Sequence, residues 1–94
     1  MVGQKNNQVI EKLRKVLADR IPSNHFSLGG YSDDNICIDH SEGKWRVYYA
    51  FRFQLEDLEE FDDADDAARC MIRRLMLLKD KDEVEAAIKE YEMM

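Results

Sequence analysis

The stretch ICIDHSEGKWRVYYAFRF, residues 36–53, decides the fold. In its second half Trp45, Val47, Tyr49, Phe51 and Phe53 recur at every other position, while Arg46, Tyr48, Ala50 and Arg52 fill the positions between. A period of two is the signature of a β-strand, whose successive side chains point to opposite faces. The first half repeats the pattern briefly, with Ile36 and Ile38 on one face and Cys37 on the other. The polar segment His40–Lys44 contains Gly43 and predicts a four- to five-residue loop joining the two strands as an antiparallel hairpin. A lone hairpin is only marginally stable in water, so a third strand is expected, from Phe26–Leu28 or from Gln54–Leu58.

Helical patterns flank this centre. Val9, Leu13, Val16 and Leu17 form one stripe over residues 5–20, and the Ile21-Pro22 step stops that helix. Residues 62–78 predict a second helix, with Asp62 or Asp63 as its cap and Ala64, Ala67, Ala68, Met71, Leu75 and Leu78 as its apolar face. Asp82 and Glu85 form a capping box for a third helix, whose stripe is Val84, Ala87, Ile88 and Tyr91. The expected architecture is a single α+β domain over residues 1–94: an N-terminal helix, a small antiparallel sheet and two C-terminal helices packed on one sheet face. That packing should bury Ile36, Ile38, Val47 and Tyr49 and leave the Tyr48 and Arg52 face open.

Composition narrows the function classes. Lys and Arg number 14 against 20 Asp and Glu, a formal net charge of −6. Such a chain is repelled by phosphate backbones and anionic membranes, so neither nucleic acid nor membrane is an expected partner. The aromatic strand would otherwise invite a base-stacking reading. The apolar runs are far too short to span a bilayer, and MVGQKNNQVI carries no signal-peptide core, so a cytoplasmic location is expected. Cys37 and Cys70 lie in apolar, patterned segments and are expected as reduced, packed thiols.

No catalytic or cofactor apparatus is legible. Gly-rich phosphate loops, nucleophile elbows and HExxH spacing are all missing, and the chain is not read as an enzyme. Cys37 and His40 resemble a ligand pair, but a structural zinc site needs four ligands, and His25, Cys37, His40 and Cys70 have no paired spacing. The acids at 62–66 put alanine at an alternate position in either frame and lack the central glycine of a calcium loop. No metal or cofactor is therefore expected.

The feature that calls for a function is charge. Residues 33–66 hold twelve acids and three bases, and from Glu56 to Asp66 eight carboxylates run without a base: Glu56, Asp57, Glu59, Glu60, Asp62, Asp63, Asp65 and Asp66. Clustered like charge costs self-repulsion, which a basic partner would relieve. The candidate partner-binding residues are thus Glu56, Asp57, Glu59, Glu60, Asp62 and Asp63, together with Tyr48 and Arg52 on the second hairpin face. The plain alternative is a solvated loop whose acids cap a helix.

The central stretch also resembles small immunity proteins of bacterial polymorphic-toxin systems. The resemblance is carried by Ile36-Cys37-Ile38, by Gly43-Lys44-Trp45-Arg46-Val47-Tyr48-Tyr49 with Arg52, and by Phe61, Ala67 and Ile72-Arg73-Arg74-Leu75. It covers residues 32–78. After the aromatic strand such relatives often have Glu-Arg-Gly, where this chain has Phe51-Arg52-Phe53 and so lacks the glycine on which a tight turn would rest. The resemblance implies a cytosolic protein that neutralises a cognate toxin domain by direct binding. The alternative is a small adaptor or regulatory domain that uses the open hairpin face.

Overall fold

A computed structural model describes residues 2–94, with side chains from residue 8 onward. The chain runs through α1 (Val2–Leu17), a 3-10 turn (Ser23–His25), β1 (Phe26–Leu28), β2 (Ile36–Ser41), β3 (Lys44–Phe51), β4 (Gln54–Phe61), α2 (Ala64–Leu75) and α3 (Lys81–Glu92). The class is α+β, as the patterning predicts. Both candidates for a third strand are used, so the sheet has four strands in the order β1-β2-β3-β4.

The β2–β3 connection is tighter than expected. Ser41 pairs with Lys44, which leaves only Glu42 and Gly43 between the strands, with φ of +53° and +81°. Positive φ at both central residues is the hairpin turn whose twist matches that of the strands. Gly43 supplies one of the two without a Cβ penalty.

The sheet is mixed rather than antiparallel, because β1 runs parallel to β2, with Phe26 opposite Ile36 and Leu28 opposite Ile38. Parallel neighbours usually need a crossover of about a dozen residues or more. Here residues 29–35 suffice, and they cross on the face away from the helices. Tyr31 stacks on Tyr48 with ring centroids 6.3 Å apart. The Asp34 amide donates to the Ala50 carbonyl at 2.7 Å, and the Ala50 amide donates to that of Asn35 at 2.9 Å. The Cys37 thiol lies 3.5 Å from the Ser32 carbonyl oxygen.

The helices form the other layer. In α1, Val9, Leu13, Val16 and Leu17 are buried, as their spacing predicts. The helix ends at Leu17, short of residue 20, and Ile21 is bonded back to the Leu17 carbonyl. In α2, Ala64, Ala67, Ala68, Met71 and Ile72 are buried against β2 and β3, the alanines permitting close approach. Leu78, assigned to this face by its spacing, lies beyond the helix and is 99% exposed; Met76 is buried instead. The start of α3 also differs from expectation. It lies at Lys81 with Asp80 as the cap residue, so Asp82 sits inside the first turn, where a negative charge suits the helix dipole, and not at the cap of a capping box.

The core on the helix side holds Ile38, Trp45 and Val47 with the helical stripes. Ile36 and Tyr49 are only half-buried, because α2 covers the Trp45–Val47 part of the sheet and leaves them at its rim. A second small cluster of Cys37, Tyr48 and Ala50, with Leu55 against it, lies under the crossover. The result is a slab of 33 × 33 × 19 Å.

Candidate protein-interaction surface

The acidic stretch is not a loop. Its first four acids, Glu56, Asp57, Glu59 and Glu60, belong to β4, which pairs with β3 alone and so forms an open edge of the sheet. The ladder is regular from Trp45–Phe61 to Val47–Glu59, then shifts so that Tyr49 faces Glu56. Asp57 and Leu58 together oppose Tyr48, and Asp57 takes φ +53°. This is a β-bulge, a common way of bending an edge strand out of reach of other edges, and Asp tolerates left-handed backbone better than most residues. Arg74 reaches over from α2 and holds the bulge, donating to the Asp57 carbonyl and, at 2.7 Å, to the Glu59 carboxylate. That bond from Arg74 lowers the pKa of Glu59 below the usual carboxylate value.

The remaining acids divide by what they touch. Asp62 is paired with Lys44 across the sheet end. Asp63 caps α2, its carboxylate accepting from the Asp65 amide at 3.3 Å. Asp65 accepts from the Tyr91 hydroxyl at 2.7 Å, and Asp66 pairs with Arg69 at 2.8 Å. Glu56 and Glu60 and the Asp57 carboxylate have no hydrogen-bonded or ion-paired partner among the described residues. The predicted cluster is therefore real in space but split in role. Asp62, Asp63 and Glu59 serve the fold, and Glu56, Asp57 and Glu60 face solvent.

Tyr48, predicted on an open face, is fully buried, and this is a correction. The short crossover covers it, and its hydroxyl donates to Asp39 at 2.7 Å. Arg46 donates twice to the same carboxylate, at 2.8 and 2.9 Å. Burial and the bond to Asp39 push the Tyr48 hydroxyl pKa well up. Asp39 goes the other way: burial alone would raise its pKa, but the bonds from Arg46 and Tyr48 outweigh it and the pKa is lowered. The Arg46 and Asp39 charges thus offset one another, and Tyr48 and Asp39 are engaged within the fold.

Arg52 is exposed as predicted, but it lies in a turn and not in the strand expected to run to Phe53. Residues 52 and 53 alone connect β3 to β4, with φ of +50° at Arg52 and +66° at Phe53. Asn-Gly is the usual choice for such a turn. A left-handed conformation costs a residue with a Cβ about 1–2 kcal/mol. The tight turn thus exists without the glycine, because its two amides are gripped from outside. The Arg52 amide donates to Asp33 Oδ1 at 2.7 Å, and the Phe53 amide donates to Tyr31 Oη at 2.7 Å. The Tyr31 hydroxyl in turn donates to Asp33 at 3.0 Å. The Arg52 guanidinium lies 5.0 Å from the centre of the Phe51 ring. Phe53 is 95% exposed.

An open groove of about 930 Å³ runs between β4 and α2, with Tyr49, Phe61 and Leu77 beside Arg69, Arg73 and Arg74. Glu59 and Asp66 reach into it and already neutralise Arg74 and Arg69. Among the described residues no group of three or more His, Cys, Asp or Glu is placed to hold a metal. No helix among them is long and apolar enough to cross a membrane. Comparison with protein-family models, curated proteins and solved structures returns no significant match.

Proposed function

We propose that this chain is a non-catalytic binding protein of the cytoplasm that neutralises a basic toxin domain by direct contact, in the manner of the immunity proteins its central stretch resembles. The observation that carries the reading is the set of carboxylates at Glu56, Asp57 and Glu60, unpartnered on an open sheet edge. Capping and ion pairing are done by their neighbours, and Glu60, though opposite Arg46 in the ladder, is not hydrogen-bonded to it, Arg46 being engaged by Asp39. A cationic partner gains from them in two ways: charge steering speeds encounter, and the docked complex relieves the repulsion. The adaptor alternative relied on an open hairpin face and loses its central residue, because Tyr48 lies under the crossover.

The test begins at the gene. A toxin-like reading frame immediately upstream, whose C-terminal domain stops growth when expressed alone, is the expected partner, and co-expression of this chain should restore growth. Replacing Glu56→Gln, Asp57→Asn and Glu60→Gln together should slow association with that domain and flatten its salt dependence. Glu59 is left intact in this variant because it holds Arg74. An unchanged on-rate and salt slope would reduce the carboxylates to solvated surface; failure to restore growth would remove the immunity reading.

A further inference from the structure

We propose that the Arg52–Phe53 turn is the anchor of the interface, with Phe53 entering an apolar pocket on a basic protein whose cationic rim meets the acids around the turn. This rests on the reading of the β4 edge given above and adds to it the element that supplies residence time. Two independent observations single out the turn. Its backbone is held in a conformation that both of its side chains disfavour. Yet Phe53 packs on nothing, being 95% exposed. A residue selected only to close the hairpin would be glycine or asparagine. Strain of this kind persists where surrounding groups over-determine the backbone, and here Tyr31 and Asp33 do so through two amide bonds of 2.7 Å. The aromatic ring is thus presented on a rigid mount, which lowers the ordering cost of docking.

The surroundings define the partner. Tyr31, 40% exposed, and Arg52 stand beside Phe53, and residues of these types are enriched at interface hot spots. Asp33 is bonded to the turn, Asp34 to Tyr49, and Glu56 and Asp57 follow in β4; Arg74, which reaches the Asp57 carbonyl, is already paired with Glu59, which leaves Arg52 to offset the charge. Such a rim repels anionic surfaces and complements a pocket edged by Lys or Arg. It continues directly into the β4 edge.

The experiment uses the full chain with the photo-crosslinking residue benzoylphenylalanine at position 53, at Leu58 on β4, or at Leu78 as an exposed control outside the sheet, expressed in the native host and irradiated. The expected result is one predominant adduct from position 53, identified by mass spectrometry as a basic protein and not obtained from position 78. With that protein purified, Phe53→Gly should raise its dissociation rate at least tenfold while leaving the melting temperature unchanged or higher, since glycine suits the turn. An adduct from position 58 without one from 53 overturns the anchor and leaves the acidic-edge reading standing. Overturning outcomes also include no adduct from position 53, an adduct with a second copy of this chain, the same adducts as from position 78, and a Phe53→Gly dissociation rate equal to that of the parent.

Discussion

Asp39 is shared by three donor groups, two from Arg46 and one from Tyr48, in a half-buried setting on the face away from the helices. Its pKa is held below the ordinary carboxylate value, so the folded state favours the ionised form. The resulting stability is fully present above the unfolded pKa of about 3.9 and is lost as pH falls through the lower folded value. Asp39→Asn should cost about 1–3 kcal/mol near neutral pH. It should also weaken the fall of stability in acid, measured by urea titration from pH 7 to below pH 3. An unchanged acid limb would mean that other carboxylates govern it. The two thiols offer a second check at this scale. Burial raises the pKa of both Cys37 and Cys70, and neither is bonded to the other. Alkylation of the native protein at pH 7 should be slow at Cys37, and alkylation after non-reducing denaturation should add two groups.

At the scale of elements, β4 shows why part of the fold was illegible in the sequence. Leu55 packs against the Cys37 cluster, Phe61 against the helix-side core, and Leu58 is exposed, so the apolar residues of β4 serve opposite faces and show no alternation, while the bulge at Asp57 adds a residue to the register. Gln54–Leu58 is legible as one of two candidates for a third strand, but the alternation from Trp45 to Phe53 carries β3 two residues too far and hides the two-residue turn and the exposure of Phe53. The helices were legible because Val9, Leu13, Val16 and Leu17, or Ala64, Ala67, Ala68 and Met71, need only their own spacing to declare a face. Alternation in β3 correctly grouped Trp45 with Val47 and Tyr48 with Ala50. It could not tell that a crossover would cover the second group, since that depends on the direction of β1. Three substitutions check the elements. Ile38→Ala, on the helix side, should cost about 2–5 kcal/mol, and unaltered thermal unfolding would refute the burial of that face. Asp63→Ala should remove the α2 cap and cost about 0.5–2 kcal/mol, whereas Glu56→Ala should not destabilise.

For the whole molecule, the net charge of −6 is concentrated between residues 33 and 66. Repulsion among exposed charges is screened over a Debye length that shrinks from about 30 Å at 0.01 M salt to about 8 Å at 0.15 M. Raising sodium chloride through that range should therefore raise the melting temperature, by about 4–8 °C if about 1 kcal/mol is relieved in a domain of this size. A fall instead would show that screened ion pairs such as Arg69–Glu92 and Arg74–Glu59 outweigh the repulsion.

The short crossover of residues 29–35 has a consequence for the order of assembly. β2, β3, β4 and α2 are contiguous in the chain, from Ile36 to Leu75, and close on one another through tight turns. β1 joins them by only three residue pairs, in parallel, and its crossover can settle only on a β3 that already presents Tyr48. Local contacts form early because their loop-closure entropy is small. The meander with α2 is thus expected to be the folding nucleus, onto which the first 35 residues dock late. Native-state hydrogen exchange should find the β2–β3 amides opening only with global unfolding. The Gly29 amide, which donates to the Ile38 carbonyl at 2.8 Å, should open in a smaller, cheaper step that releases β1 from the sheet.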